Sequence, residues 1–331
     1  MNAMVLERTR PVEDGPLQMR DLARPDPQDR EILIKVTACG VCHTDLHTVE
    51  GDLSLPRLPL VPGHQVVGRV EKVGPGADRF PVGARVGMTW FYSSCGSCPF
   101  CREGRENLCS DARFTGYHAD GGYAEFMIAP ESSAFSIPEI FSDAEATPLL
   151  CGGVIGYRAL RLSEIRPGQK LGMYGFGNSA HVVIQIAAKM NCRVHVFTRS
   201  RKHQVLARDL GAVWVGAPQD DPGESMDSSI IFAPAGPLVL DALRVLSKGG
   251  TLALAGITMT RIPEMDYSLI YGERTVRSVA NTTRSDAEEL LAAAAEVPVR
   301  TVVETFPLDQ ANRVLRMMKE SALRGGAALI P

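Results

Sequence analysis

Lys170-Leu-Gly-Met-Tyr-Gly175-Phe-Gly177-Asn-Ser-Ala180 is the stretch on which the fold turns. Its first five residues are an apolar run of strand length. The two glycines end that run in a tight turn, and Asn178 to Met190 continues with apolar residues at helical period. A second strand-like run, Cys192 to Phe197, follows. Strand, glycine turn, helix and strand in that order give G-x-G-x-x-A a weight it lacks alone. Gly175 permits the tight turn. Gly177 lets the backbone approach a pyrophosphate lying on the helix N-terminus, and Ala180 is small enough to keep helix and strand close. The plainer alternative is a tight turn that binds nothing.

Reading outward from this unit, the same alternation continues. Arg201 to Leu210 is a helix ending at Gly211, and the runs 228–232 and 250–255 are further strands. Strands separated by helices of this length predict a parallel, doubly wound sheet. The segments 285–296 and 308–319 are helical, and 327–330 is a last strand. Toward the N-terminus the period changes. Residues 31–37, 65–73 and 83–87 are short strands parted by turns such as Gly74-Pro75-Gly76, which suggests an irregular, barrel-like β domain. The fold class is therefore α/β, with a second, β-rich domain.

The length of 331 residues suits two domains, each able to bury a core. A net charge of −3 excludes a protein built chiefly to hold nucleic acid on a basic face. With 45% hydrophobic residues the chain is too apolar to be disordered. No apolar run approaches the roughly 18 residues of a membrane helix. Glu7 and Arg8 interrupt the N-terminal segment before it reaches signal-peptide length, so a cytoplasmic protein is expected.

In a reducing compartment, clustered cysteines argue for metal or catalysis ahead of disulfides. Four of the eight lie in Cys95-Gly-Ser-Cys98-Pro-Phe-Cys101-Arg-Glu-Gly-Arg-Glu-Asn-Leu-Cys109. Two successive C-x-x-C steps bring three sulfurs together, and the longer return delivers a fourth. Four thiolates close a tetrahedron, which is the ligand set of a structural zinc. A redox C-x-x-C pair is the first alternative, although the turn-rich surroundings lack a thioredoxin-like βαβ pattern. An iron–sulfur cluster is the second, although the fourth cysteine arrives late for a ferredoxin run.

Cofactor choice is read after the strand that ends at Phe197. An acid there would bind a ribose 2′-hydroxyl and repel a 2′-phosphate. The chain has Thr198-Arg199-Ser200-Arg201-Lys202 instead, which suits a phosphate dianion and favours NADP(H) over NAD(H). A solvated helix start is the plainer reading of these cations.

Three further pieces complete the pattern: Cys39-Gly-Val-Cys42-His43-Thr44-Asp45-Leu46-His47, then Pro62-Gly63-His64-Gln65, and much later Leu150-Cys151-Gly152-Gly153. Each is uninformative alone. In this order, with the four-cysteine loop and the dinucleotide turn, they closely resemble the zinc-dependent alcohol dehydrogenases of the medium-chain dehydrogenase/reductase family, over nearly the whole chain. The resemblance implies a GroES-like catalytic domain at 1–152 and 280–331, carrying the zinc loop 95–109, and a Rossmann nucleotide-binding domain at 153–279. The active site is expected in the cleft between them. It implies a catalytic zinc held by Cys42, His64 and Cys151, with a fourth position open to water or substrate, and so two zinc ions per subunit. The implied reaction is reversible hydride transfer between a primary or secondary alcohol and NAD(P).

By the same resemblance, Thr44 passes the alcohol proton to the nicotinamide ribose and on to His47. His43 lies near the cofactor pyrophosphate, and Asp45 orients His64 through its second ring nitrogen. Trp90 narrows the substrate pocket toward small or slender alcohols. A homodimer or homotetramer is implied.

The chain departs from the family at three places: Gln65 replaces a usual Glu, Ile155 a common Thr, and Gly326 a common Arg, with Arg324 the available substitute. The rival readings are a zinc polyol dehydrogenase, a quinone reductase, which generally lacks both zinc sites, and a silent scaffold of the same fold. Cys39 and Cys192 read as buried small hydrophobes, and His118, His181, His195 and His203 as surface or packing residues.

Overall fold

The computed structural model describes residues 1–331, which form two compact units. The first comprises Met1–Cys151, Thr283–Ala292 and Arg300–Pro331; the second comprises Gly152–Thr282 and Ala293–Val299. Residues 293–299 therefore group with the second unit, where a boundary at 280 places them in the first. Ala294 and Val299 are buried, which gives this short segment a reason to pack there. No helix is long and apolar enough to cross a membrane.

The second unit is built on six parallel strands in the order Trp214–Gly216, Arg193–Phe197, Lys170–Tyr174, Met226–Ile231, Leu246–Leu254, Thr275–Ser278. The order reverses direction beside Lys170–Tyr174, and the glycine turn follows this strand. That is the switch point at which open parallel sheets bind ligands. The central strands are nearly continuous apolar runs because both faces are covered. Helix Asn178–Lys189 buries Val182, Val183, Ile184 and Ile186. Two helices here lacked a clear sequence signal: Gly152–Leu162, which opens on two glycines, and Leu238–Val245.

In the first unit, the long strand Glu31–Val41 is the hub. It pairs antiparallel with Gln65–Val73, with Phe126–Pro130 and with the final strand Gly326–Ile330. It runs on to Val41 because Cys39 and Gly40 are held between two partner strands. Gly40 must lack a side chain, since a Cβ there would meet Gln65 Oε1 at 2.7 Å. The strand thus carries the chain straight to Cys42. Cys39 and Cys192 are buried, as read from the sequence.

Candidate metal and nucleotide sites

Cys42 follows the hub strand and caps helix His43–Glu50, a helix the sequence did not announce because cysteine is an unusual cap. Its sulfur accepts the Thr44 N–H at 3.3 Å, and its own N–H donates to Asp45 Oδ2 at 2.9 Å. His64 enters from a different element. It sits between Gly63, at φ 96°, and strand Gln65–Val73. Cys151 stands between the 3-10 turn Thr147–Leu150 and helix Gly152–Leu162.

The three donors converge. Cys42 Sγ lies 3.9 Å from Cys151 Sγ and 3.3 Å from His64 Nε2, and all three donor atoms lie within 4.8 Å of one another. A tetrahedral zinc–thiolate site has sulfur–sulfur edges of about 3.8 Å. Sulfurs at 3.9 Å are far outside the roughly 2.05 Å of a disulfide. The donor set fits a zinc ion.

Asp45 lies behind the site as expected. Its Oδ1 is 3.0 Å from His64 Nδ1, and both side chains are almost fully buried. With a metal bound, that contact would hold the proton on Nδ1 and leave the Nε2 lone pair for the ion. Charge is crowded here. Burial raises the Asp45 pKa, although His64 pulls the other way. Burial by itself would neutralise the imidazole, but Asp45 and Cys42 outweigh it and hold His64 well above its usual range. The two thiols diverge: a hydrogen bond from Cys151 keeps Cys42 well below the usual thiol range, while that hydrogen bond to Cys42, with burial, pushes Cys151 up. Two half-buried sulfurs 3.9 Å apart cannot both ionise cheaply without a cation between them.

Thr44 and His47 are one turn apart on helix His43–Glu50 and so share a face. His47 Nδ1 is 2.7 Å from Asp52 Oδ2, a partner the sequence reading did not single out. His43 is exposed. Trp90 packs edge-on against His64 with ring centroids 5.1 Å apart. It is also stacked on Phe114 at 5.2 Å and tilted against Tyr117 at 5.7 Å. Tyr117 in turn donates to the Ser54 carbonyl at 2.6 Å. The indole is therefore a fixed wall beside the candidate ligand. Gln65 is buried against Gly40, Ile155 is half-buried in its helix, and Arg324 is exposed.

The four sulfurs of Cys95, Cys98, Cys101 and Cys109 also converge. Their separations are 3.9 Å for Cys95–Cys101 and 3.5 Å for both Cys98–Cys101 and Cys95–Cys109. Pro99 starts the short helix that carries Cys101, and a 3-10 turn delivers Cys109. Backbone and side-chain donors at Ser97, with the Cys98 N–H, bring the Cys95 thiol down to about 6. These distances again match tetrahedral edges and not disulfides.

In the second unit, Gly175 takes φ 85°, and a Cβ there would meet Ala233 at 3.1 Å. Gly177 caps helix Asn178–Lys189, and Ala180 is completely buried. A cavity of about 740 Å³ opens beside the turn, with Gly175, Phe197, Thr198, Arg199 and Ser200 in its wall. Arg201 begins the next helix and is not in that wall. Gln219 and Asp241 also line the cavity and lie outside any fingerprint. Gln219 Nε2 donates to Asp241 Oδ2 at 2.9 Å, and Arg244 pairs with the same carboxylate. Asp241 is thus compensated, which tempers its repulsion of an anionic ligand.

Comparison with known proteins gives the family. Residues 28–139 match the alcohol dehydrogenase GroES-like domain, and residues 180–296 match the zinc-binding dehydrogenase domain. The chain is 44% identical to a probable alcohol dehydrogenase, AdhA, of Mycobacterium tuberculosis, over 100% of this chain and 97% of that one. It is 36% identical to an alcohol dehydrogenase of Geobacillus stearothermophilus, over 99% of both. A cinnamyl alcohol dehydrogenase of Sorghum bicolor superposes with a TM-score of 0.89 at 27% identity, covering 99% of this chain and 97% of that one. The chain belongs to the zinc-binding medium-chain alcohol dehydrogenases.

Proposed function

We propose that the protein interconverts primary or secondary alcohols with their aldehydes or ketones. In this reading Cys42, His64 and Cys151 hold a catalytic zinc, the four-cysteine loop holds a structural zinc, and NADP(H) is preferred over NAD(H). The convergence of Cys42, His64 and Cys151, with Asp45 behind the imidazole, carries it. Bound zinc polarises the substrate oxygen and lowers an alcohol's pKa, while the nicotinamide takes or gives the hydride.

The chain's own residues do the rest. Asp45 fixes the His64 tautomer. The Thr44 hydroxyl and the His47 imidazole, on one helix face, carry the alcohol proton outward, and the Asp52 contact fixes the ring of His47. His47→Gln should lower kcat for alcohol oxidation about 10-fold near neutral pH, and free imidazole buffer should restore part of it. Unchanged kcat would remove His47 from the path. Trp90, clamped by Phe114 and Tyr117, sets the width available to the substrate and favours slender alcohols.

Metal analysis with a panel of alcohols and both cofactors tests the whole reading. Two zinc per chain with alcohol oxidation is the expected result. One zinc and no oxidation would identify a silent scaffold.

Cofactor preference rests on Thr198, Arg199 and Ser200 in the cavity wall, where no free carboxylate stands. Arg199→Ala should cut the kcat/KM ratio of NADPH to NADH about 10-fold, mostly through KM, because an exposed cation–phosphate pair is worth about 1–2 kcal/mol. A ratio that does not move would return Arg199 to the role of a solvated helix start.

A homo-oligomer in the cytoplasm completes the proposal. The outer edge of strand Thr275–Ser278 has no partner strand, and Ile257, Ile262, Tyr267 and Tyr271 on the same unit are exposed, which supports self-association. All eight cysteines are free, as a reducing compartment would keep them.

A further inference from the structure

Pro218, Ala233, Ala235, Pro237 and Leu238 give the cavity of the second unit an apolar wall, and one corner of that wall is polar. Gln219 and Asp241 make the corner, and the proposed function uses neither of them.

In a sheet of this strand order, the pyrophosphate of a dinucleotide lies on the glycine turn, and its adenosine ribose lies at the end of the next strand. Those places are residues 175–177 and the residues that follow strand Arg193–Phe197. The cavity wall continues beyond them. It reaches Pro218 and Gln219 after strand Trp214–Gly216, and Ala233 to Asp241 after strand Met226–Ile231. What the ribose carries in that direction is the adenine. An apolar wall suits the faces of a flat ring, and it leaves the rim of the ring to the polar corner.

Asp241 is only 8% exposed, so the protein itself must hold its charge. It stands on helix Leu238–Val245, where Arg244 pairs with Oδ1 from the next turn. Gln219 Nε2 donates to Oδ2 at 2.9 Å from the loop after strand Trp214–Gly216. Two partners on different elements thus fix the plane of the carboxylate. An ionised carboxylate accepts and never donates, and it has room for about four hydrogen bonds, of which these partners use two. What Asp241 presents to the cavity is a fixed acceptor.

The rim of adenine has a single donor group, the exocyclic amine at C6, and its ring nitrogens accept. A purine with an oxo group at C6 presents an acceptor at the same place. Its lone pairs would face those of the carboxylate. An acid in this corner therefore sorts purines by that one substituent.

We propose that Asp241, oriented by Gln219 and Arg244, is a specificity-determining residue for the cofactor's base: its carboxylate accepts from the exocyclic amine of the adenine. The inference rests on the nicotinamide-cofactor reading above and needs neither the zinc assignment nor the preference for NADP(H).

Binding is read without turnover, from the change in nicotinamide fluorescence as the full-length protein is titrated with NADPH, with NADH, and with the hypoxanthine analogue of each. The analogues differ from the parent only in carrying an oxo group where adenine has its amine. Each parent dinucleotide should bind about 10-fold more tightly than its analogue, the size expected of one hydrogen bond to a charged group. Asp241→Asn keeps the shape of the side chain and supplies a donor as well as an acceptor, and it should bring that ratio down to about 1- to 3-fold. Gln219→Met, at an exposed position, removes only the orienting N–H and should lower the ratio about 3-fold. A carboxylate that merely braced its helix would weaken parent and analogue alike and leave the ratio unmoved.

Equal binding of parent and analogue by the unaltered protein would overturn the proposal while the cofactor reading stood. A 10-fold ratio that survives both Asp241→Asn and Gln219→Met would mean that the amine is read elsewhere, and the assignment to Asp241 would fall. If neither NADPH nor NADH binds, the cofactor reading fails and takes the proposal with it.

Discussion

Cys151→Ser should abolish turnover, with kcat/KM down by about four orders of magnitude, in a protein that still folds. A factor of that size corresponds to about 5.5 kcal/mol of transition-state stabilisation, in the range a Lewis-acidic metal supplies. The cause is charge as well as geometry. Two thiolates and a neutral imidazole cancel the charge of Zn²⁺, and a serine hydroxyl stays protonated at neutral pH. The variant site would carry one uncompensated positive charge and only two strong donors. The fold should survive because the core beside this position is filled by Leu149 and Leu150, both completely buried, while Cys151 itself is half-exposed. Zinc content should fall from two ions per chain to one, with the melting temperature little changed. Retention of more than a tenth of the activity would mean that Cys151 is not a ligand of a catalytic ion.

Cys98→Ser should have the opposite profile. The loop from Cys95 to Cys109 buries little apolar surface, and Cys95, Gly96, Ser97 and Phe100 are all exposed. On the zinc reading its conformation depends on the ion its sulfurs would gather, and binding free energies of about 10–16 kcal/mol are typical of structural zinc in small peptides. Only part of that reaches the global fold, because the loop has another anchor. The nearly buried Glu106 carboxylate accepts the Arg284 N–H at 2.8 Å and lies 3.4 Å from Arg284 Nε. A loss of about 3 kcal/mol is expected, or a melting temperature about 6–12 °C lower. Cleavage at Arg102 and Arg105 by a trypsin-like protease should become fast, while the zinc at Cys42, His64 and Cys151 stays bound. An unchanged melting point and protease resistance would mean that the loop holds itself together.

The two ligand clusters also differ in how far the sequence announced them. The four-cysteine loop could be read from spacing alone, since all its donors lie within one short stretch. The other cluster could not. Cys42, His64 and Cys151 come from three distant elements, and only the resemblance joined them before the geometry did. The parallel strands were legible because strands covered on both faces are apolar without interruption. The helix His43–Glu50 was not, because its cap is a thiol and its polar face is occupied by site residues. Asp45 closes a helix cap and orients His64 at once, and one residue type cannot announce both tasks. Asp52, Gln219 and Asp241 act through contacts distant in sequence or outside any motif.

The final strand has a consequence for how the molecule is made. Gly326–Ile330 pairs through Ala327, Ala328 and Leu329 with Val41, Gly40 and Cys39, immediately before Cys42. During translation Cys39 and Cys42 leave the ribosome long before Gly326–Ile330, and the sheet that frames them is incomplete until that strand emerges. The six-stranded sheet, by contrast, has all its strands by Ser278. The nucleotide-side unit can therefore finish first, as domains fold when their own residues are complete. The six candidate ligand cysteines of the first unit are therefore made before Gly326–Ile330 completes their sheet, so metal loading that needs the framed site follows the synthesis of that strand.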